Sequence, residues 1–256
     1  MPDLPTIDLN ADLGEGFGAY RVGEDAALLT LVTSANVACG FHAGDPLIMR
    51  QTVGVAATRG VAIGAHPGYP DLLGFGRRDL AATPAEITAY VLYQVGAMQA
   101  VCHAAGTRLR YVKAHGAMYN RAVADGGAAA AIAEGVRAAD PGLVLLGLAD
   151  SQLLTAARAA GLRTAAEAFA DRAYSSDGSL VPRSDPRAVI HDVDAVVTRT
   201  VRMATAHHVT TIDGTDLHVH ADSICVHGDT PGALELLRAI RRGLASAGVT
   251  VAPFAS

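Results

Sequence analysis

The stretch Ala35-Asn36-Val37-Ala38-Cys39-Gly40-Phe41-His42-Ala43-Gly44-Asp45-Pro46 decides the fold. Its apolar first half reads as a buried strand that stops at Gly40. A polar tip follows, and a helix starts at Pro46. Asp45 is a good N-cap, and proline suits the first helical position, where the missing N–H has no intrahelical partner to lose. His42 is thereby held at the carboxyl end of a strand, just ahead of a helix N-terminus. In α/β folds ligands bind at that rim.

The same layout recurs on both sides. Upstream, Thr6-Ile7-Asp8-Leu9-Asn10 alternates like a short strand. Its exit, Ala11-Asp12-Leu13-Gly14-Glu15-Gly16, crowds Asn10, Asp12 and Glu15 into a tight turn. A short helix is expected over 25–32. Downstream, a helix over about 46–59 ends at Gly60, and 61–66 is a third strand. It leaves through His66-Pro67-Gly68-Tyr69-Pro70-Asp71 and Gly74-Phe75-Gly76-Arg77-Arg78. Long loops on such a rim cover or line sites. Arg77 and Arg78 suit a carboxylate or phosphate, and a solvated basic patch is the plain alternative.

Thr83-Pro84-Ala85-Glu86 is a capping box with proline at the first position, opening a helix to about 105. Strand four, 110–116, delivers Lys113 and His115, then Tyr119 and Asn120. Residues two apart on a strand face the same side, so Lys113 and His115 are expected to point together. A helix over 127–139 and a strand over 143–148 follow, then a helix capped by Asp150-Ser151 and stopped by Gly161. Strand six, 163–168, leaves through Glu167, Asp171 and Arg172. From 174 to 221 the rhythm breaks. A helix is expected over 186–206, then a hairpin with a type I′ turn at Asp213-Gly214 that leaves His218 and His220 on the surface. The last strand, Ser223-Ile224-Cys225-Val226-His227-Gly228-Asp229, precedes a helix capped at Thr230-Pro231, and 249–252 suggests a final short strand.

Seven strand-then-helix units in a row indicate an α/β fold with a parallel sheet and right-handed crossovers. The expected form is an irregular (β/α) barrel of about seven strands in one domain over 1–256, with the helix and hairpin of about 174–221 inserted; an open doubly wound sheet is the alternative. The glycines after the first strand read G-x-G-x-G, which is not the dinucleotide fingerprint.

Composition narrows the function classes. The chain has 256 residues, half of them hydrophobic, and a net charge of −5. That balance argues against nucleic acid or an anionic membrane as partner. Lys113 is the single lysine, and 19 arginines make up the other basic residues. Three cysteines, Cys39, Cys102 and Cys225, do not make an even disulfide framework. No run approaches a membrane span, and the opening MPDLPTIDLN lacks the features of a secretory signal. The expectation is a soluble cytoplasmic protein.

A barrel gathers its strand ends into one cleft. The rim then collects Asp12, Glu15, His42, Asp45, His66, Lys113, His115, Glu167, Arg172, His227 and Asp229. Such a set suits a divalent metal site with an open position for water. It equally suits metal-free acid–base catalysis, with Lys113 stabilising an oxyanion. No HExxH motif, GxSxG elbow or GxxxxGK[ST] phosphate loop is present. Cys39 with His42 is a conceivable nucleophile pair, but a cysteine on a buried strand is ordinarily a small hydrophobe.

Taken together, DLNADLGE, ANVACGFHAGDP, GAHPGYPDLLGFGRR, VKAHGAMYN, EAFADRAY and CVHGDTPGA, in that order, resemble the LamB/YcsF family of lactam-utilisation proteins. The likeness runs from residue 7 to about 233. One departure is Ala114, where the family usually has proline; no functional group is lost there. The resemblance implies the A component of an ATP-dependent 5-oxoprolinase, which opens 5-oxoproline (pyroglutamate) to glutamate together with partner subunits B and C. It implies the barrel-like fold of glycoside hydrolases and deacetylases. By analogy with deacetylase relatives, Asp12, His42 and His66 are positional candidates for metal ligands. Arg77, Arg78 or Arg172 would hold the substrate carboxylate, with Asn10, Asp45, Asn120 and Asp229 also at hand. ATP would be bound mainly by a partner. The rival readings are a stand-alone metal-dependent amidase or deacetylase, and a non-catalytic scaffold protein.

Overall fold

A computed structural model describes residues 5–227 and 232–255. Strand β1 (Thr6–Leu13) alternates in both senses. Ile7, Leu9, Ala11 and Leu13 join the main apolar core, whereas Asp8, Asn10 and Asp12 carry hydrogen bonds to other strands. Side chains two apart share a face, so one face of β1 is apolar and packs on helices, and the other is a column of three polar groups.

The chain continues through α1 (Asp25–Leu28), β2 (Ser34–Ala38), α2 (Pro46–Thr58), β3 (Ala62–His66), α3 (Pro84–Ala104) and β4 (Tyr111–Lys113). It goes on through α4 (Gly116–Ala124), α5 (Gly126–Ala139), β5 (Val144–Leu148), α6 (Gln152–Ala159) and β6 (Arg163–Phe169). Last come α7 (Val193–Ala206), β7 (His208–Thr210), β8 (Asp216–His218), β9 (Ser223–Cys225), α8 (Ala233–Ser246) and β10 (Thr250–Val251).

Strands β1 to β6 pair in sequence order, all parallel, and β9 pairs with both β6 and β1. Seven parallel strands thus close into a barrel, as the repeat of strand and helix leads one to expect. β10 adds to the lower half of β1, with Thr6 opposite Thr250. Asp45 and Thr83 cap α2 and α3 as the sequence indicates, each with proline in the first turn.

Inside the barrel the bottom is apolar. Tyr111, Val144, Leu146 and Ala165 form their own cluster, with Phe254 and Ala255 against it. Gly64 on β3 makes room for this plug: a Cβ there would fall within the Tyr111 ring.

Three local readings differ. Residues 186–192 are not helical: Asp192 caps α7, and Arg172 pairs with Val189 while the Ala188 carbonyl accepts from Ala173 N. The β7–β8 link is not a two-residue turn. Thr210 pairs with Asp216, and Asp213 folds back to accept from the Thr211 hydroxyl and Thr215 N. Helix α4 begins at Gly116, directly after the β4 exit; that glycine takes a left-handed φ of 55°, which ends the extended run. His218 and His220 are exposed, as expected. Asp229 and the Thr230-Pro231 cap lie outside the described residues.

Candidate functional site

The polar column of β1 rises from the barrel interior to its rim. Asp8 accepts from the hydroxyls of Thr33 and Ser34, each at 2.6 Å, and of Ser223. Burial pushes its carboxyl up to about 6. One level higher, Asn10 donates to Glu167 Oε1 (3.0 Å) and Ser223 Oγ (2.7 Å) and accepts from Asn36 (2.7 Å). Asp12 is the top level.

Lys113 reaches this column from β4. Its Nζ lies 2.9 Å from Glu167 Oε1, 3.0 Å from Asp12 Oδ1 and 3.2 Å from Cys225 Sγ. Burial opposes charge on Lys113, but Asp12 and Glu167 together hold its ammonium well above the usual range. Burial likewise opposes charge on Asp12, and the Lys113 ammonium beside it helps hold its carboxyl well below the usual range, so Asp12 is an ionised carboxylate. Asn36 adds a hydrogen bond to the same oxygen at 2.8 Å. The second oxygen of Asp12 is left facing His66 Nε2 at 3.4 Å. Tyr119 completes the set by donating to Glu167 Oε2 at 2.9 Å.

Beside Asp12 stand three imidazoles from three strand exits, β2, β3 and β4. His66 Nδ1 lies 2.8 Å from the Lys113 carbonyl, and His115 Nε2 lies 2.8 Å from the Phe75 carbonyl. A carbonyl only accepts, so both of these nitrogens carry the proton. The remaining nitrogens, His66 Nε2 and His115 Nδ1, face one another at 3.0 Å. His42 stacks on His115 with centroids 3.7 Å apart. Burial, reinforced by the neighbouring histidines, holds His42 and His115 well below the usual imidazole range. Glu15 Oε1 lies 3.6 Å from His42 Nε2 and 3.7 Å from His115 Nδ1. Two glycines press on these rings. A Cβ on Gly68 would come within 2.7 Å of His42 Nδ1, and one on Gly76 within 2.9 Å of His115 Cδ2.

Across the barrel mouth, His227 at the exit of β9 donates Nδ1–H to both oxygens of Asp171, at 2.9 and 3.0 Å. The imidazole also stacks on Phe169. Burial opposes ionisation of Asp171, but His227 holds it below the usual range. This is the dyad geometry in which a carboxylate fixes one ring nitrogen and leaves the other to exchange protons with a ligand.

One cavity of about 660 Å³ joins these parts. Asp12, His66, Lys113, His115 and His227 line it, with Tyr119, Asn120, Arg77 and Arg172. Residues 177 and 179–184 close one side. Arg172 is anchored by its donation to the Ala188 and Val181 carbonyls. Burial beside Arg183 pulls its guanidinium down to about 10.

Other expected site residues stand elsewhere. Glu15 and His42 are behind His115 and do not line the cavity, Glu167 lies beneath Lys113, and Asn10 lies lower still in the column. Asp45 spends one oxygen on the N-cap of α2 and the other on Gly18 N. Arg78 turns to Asp71, outside the cavity lining. Cys39 donates to the carbonyl of Val37, and burial pushes its thiol up to about 12, so it is no nucleophile for His42. Asp171 is the residue that the sequence pattern underrates: it is one acid among several at the β6 exit, and only the closure onto β9 gives it a histidine.

Comparison with known proteins agrees with this architecture. Residues 7–256 match the LamB/YcsF family. The A component of 5-oxoprolinase from Streptomyces avermitilis is 55% identical over 97% of this chain and 100% of its own length. That of Geobacillus kaustophilus is 53% identical over 97% and 96%. The crystal structure of a lactam utilization protein from Thermus thermophilus superposes with a TM-score of 0.92 at 47% identity, covering 97% of this chain and all of that one. A CE4 family pseudoenzyme from Bacillus anthracis shares the fold alone, with a TM-score of 0.50 at 11% identity over 99% of this chain and 65% of that one. The chain belongs to the LamB/YcsF family.

Proposed function

We propose that this chain is the A component of an ATP-dependent 5-oxoprolinase, a hydrolase that opens the cyclic amide of 5-oxo-L-proline to give L-glutamate. Relatives at 53–55% identity over nearly the whole chain carry that name. The observation in the molecule that best supports the reading is one cavity lined by Asp12, Lys113, Arg172 and His227, the last held from behind by Asp171.

The chemistry follows from the substrate. An amide is stabilised by resonance, and a five-membered lactam has little strain to release. Transfer of the ATP γ-phosphoryl to the lactam oxygen, with loss of ADP, turns that oxygen into a leaving group. Water then adds to the carbon, and the C–N bond breaks as the nitrogen takes a proton. A second water releases phosphate and leaves the new carboxylate. Asp12, ionised and aimed by Lys113 and Asn36, is the general base for water. His227, fixed by Asp171, gives the ring nitrogen its proton. Arg172 and Arg77 hold the substrate carboxylate.

ATP itself is assigned to the partner subunits, B and C. The chain has no phosphate loop, and its one lysine is committed to Asp12 and Glu167. No helix among the described residues is long and apolar enough to cross a membrane, and we assign the complex to the cytoplasm. Equilibrium binding of ATP tests the division of labour: the isolated chain should bind ATP no better than millimolar, the complex tightly. Tight binding by the chain alone would refute it.

A further inference from the structure

We infer that Glu15, His42, His66 and His115 form a metal centre at the back of the cleft, built for zinc(II) or a similar borderline divalent ion. Their ligand atoms all lie within 4.8 Å of one another, and all four residues are buried.

The tautomers support this first. Carbonyl oxygens fix the protons of His66 and His115 on the outer nitrogens. Two bare lone pairs therefore meet at 3.0 Å, a repulsive contact unless a cation stands between them. Backbone carbonyls on the far nitrogens are also the usual orienting partners of metal-bound histidines. His42 supports it second. It is fully buried, and neither ring nitrogen has a hydrogen-bond partner among the described residues. Such groups are rarely left unsatisfied.

The spacing fits as well. Zinc–nitrogen bonds of about 2.0–2.1 Å give a tetrahedral edge of roughly 3.3 Å between ligand atoms. The edges here are 3.0 Å for His66–His115, 3.6 Å for His42–Glu15 and 3.7 Å for His115–Glu15. Three imidazoles with one carboxylate select zinc, cobalt or nickel over magnesium or calcium, which take oxygen ligands. This centre is therefore separate from the magnesium that accompanies ATP. It is also not the Asp12, His42, His66 triad expected from deacetylase relatives. Asp12 is held by Lys113 and stands at the edge of the cluster, 3.4 Å from His66 Nε2. His66 and His115 face the cavity, so an ion between them is reachable from the cleft. When bound, such an ion polarises a carbonyl or acidifies a water.

The inference stands on ligand geometry alone and does not need 5-oxoproline to be the substrate. The test is titration of the purified, chelator-stripped full chain with zinc(II) by calorimetry, and with cobalt(II) by its visible d–d absorption. One ion per chain is expected, with a rise in thermal midpoint. His66→Gln and His115→Gln should each weaken binding by more than the roughly 10–100-fold that outer-shell changes cost. Asp171→Asn, outside the cluster, should bind as the parent does. Circular dichroism reports whether each variant folds, and the parent titration stands even where one does not.

No binding by the folded parent chain would overturn the proposal, and would mean that a proton bridges His66 and His115. Binding that survives His66→Gln but is lost in a His207→Gln/His220→Gln chain would also overturn it. The ion would then sit on the half-buried His207 and the exposed His220, whose rings stack 4.7 Å apart. Turnover of 5-oxoproline by a metal-free complex would remove the centre from the reaction and leave the function. Zinc binding without turnover in any mixture of subunits would do the reverse.

Discussion

His66 Nε2 and His115 Nδ1 face each other at 3.0 Å, while the opposite nitrogen of each ring is tied to a backbone carbonyl. The pair is thus locked in place by main chain from β4 and from the loop after β3, and it cannot swing apart to relieve the contact. Gly76 closes the space against the His115 ring, and Gly68 the space against His42 stacked on it.

Gly76→Ala follows from that packing. The new methyl would meet His42 Cβ at 2.7 Å and His115 Cδ2 at 2.9 Å, on a backbone with φ of 64°. The rings must shift by a few tenths of an ångström or more. Activity of the reconstituted complex should fall by roughly 10–100-fold, as a misplacement of about 1 Å commonly costs, in a chain that still folds by circular dichroism. Parent-like turnover would mean that ring placement is not critical.

Lys113→Met tests the buried network. It leaves Asp12 and Glu167 without their cation, and removing one partner of a buried ion pair costs about 3–5 kcal/mol. Urea unfolding should show a loss of that size, with turnover abolished. A loss under about 1 kcal/mol would place Lys113 among ordinary, weakly coupled charges.

Asp171→Asn removes the carboxylate that fixes His227. The expected result is a fall in kcat of about 10²–10⁴, the usual worth of a positioned proton donor, with KM for 5-oxoproline nearly unchanged. A change in KM alone would make the pair a binding element.

Asp8 gives a pH dependence of stability with a definite sign. Its folded value, about 6, is above the ordinary 3.8. The folded state therefore binds this proton more tightly than the unfolded one. The stabilisation is complete below about pH 4 and is lost as pH rises through about 6, amounting to roughly 3 kcal/mol. Asp8→Asn does not titrate, so the stability difference between parent and variant should move by that amount against the parent between pH 4 and pH 7. A constant difference would show that the three hydroxyls of Thr33, Ser34 and Ser223 keep Asp8 ionised throughout.

Much of this is legible in the chain because local chemistry announces strand ends. The alternation of Ile7-Asp8-Leu9-Asn10, the Asp45-Pro46 start of α2 and the Thr83 capping box all depend on neighbours a few residues away. Periodicity therefore reveals the seven strands and the rim. What it does not carry is pairing across the barrel. Lys113 meets Asp12 and Glu167 only because register places three distant strands at one height. The same closure brings His227 to Asp171. Helix α4 is hidden because it begins without a spacer after β4, at a glycine that ordinarily ends elements. The loop over 171–192 reads in part as helix because its order comes from Arg172 and the Ala188 carbonyl rather than from local hydrogen bonds.

The central claim is that the lactam is opened in this chain's cleft. The most direct measurement is glutamate formed from 5-oxoproline and ATP by subunits B and C, assayed with the parent chain, with Asp12→Asn, with His227→Gln, and without this chain. The account requires glutamate with the parent only, and at least about a hundredfold less with either variant, even when both assemble with the partners. Full glutamate formation with both variants, or with B and C alone, would contradict it.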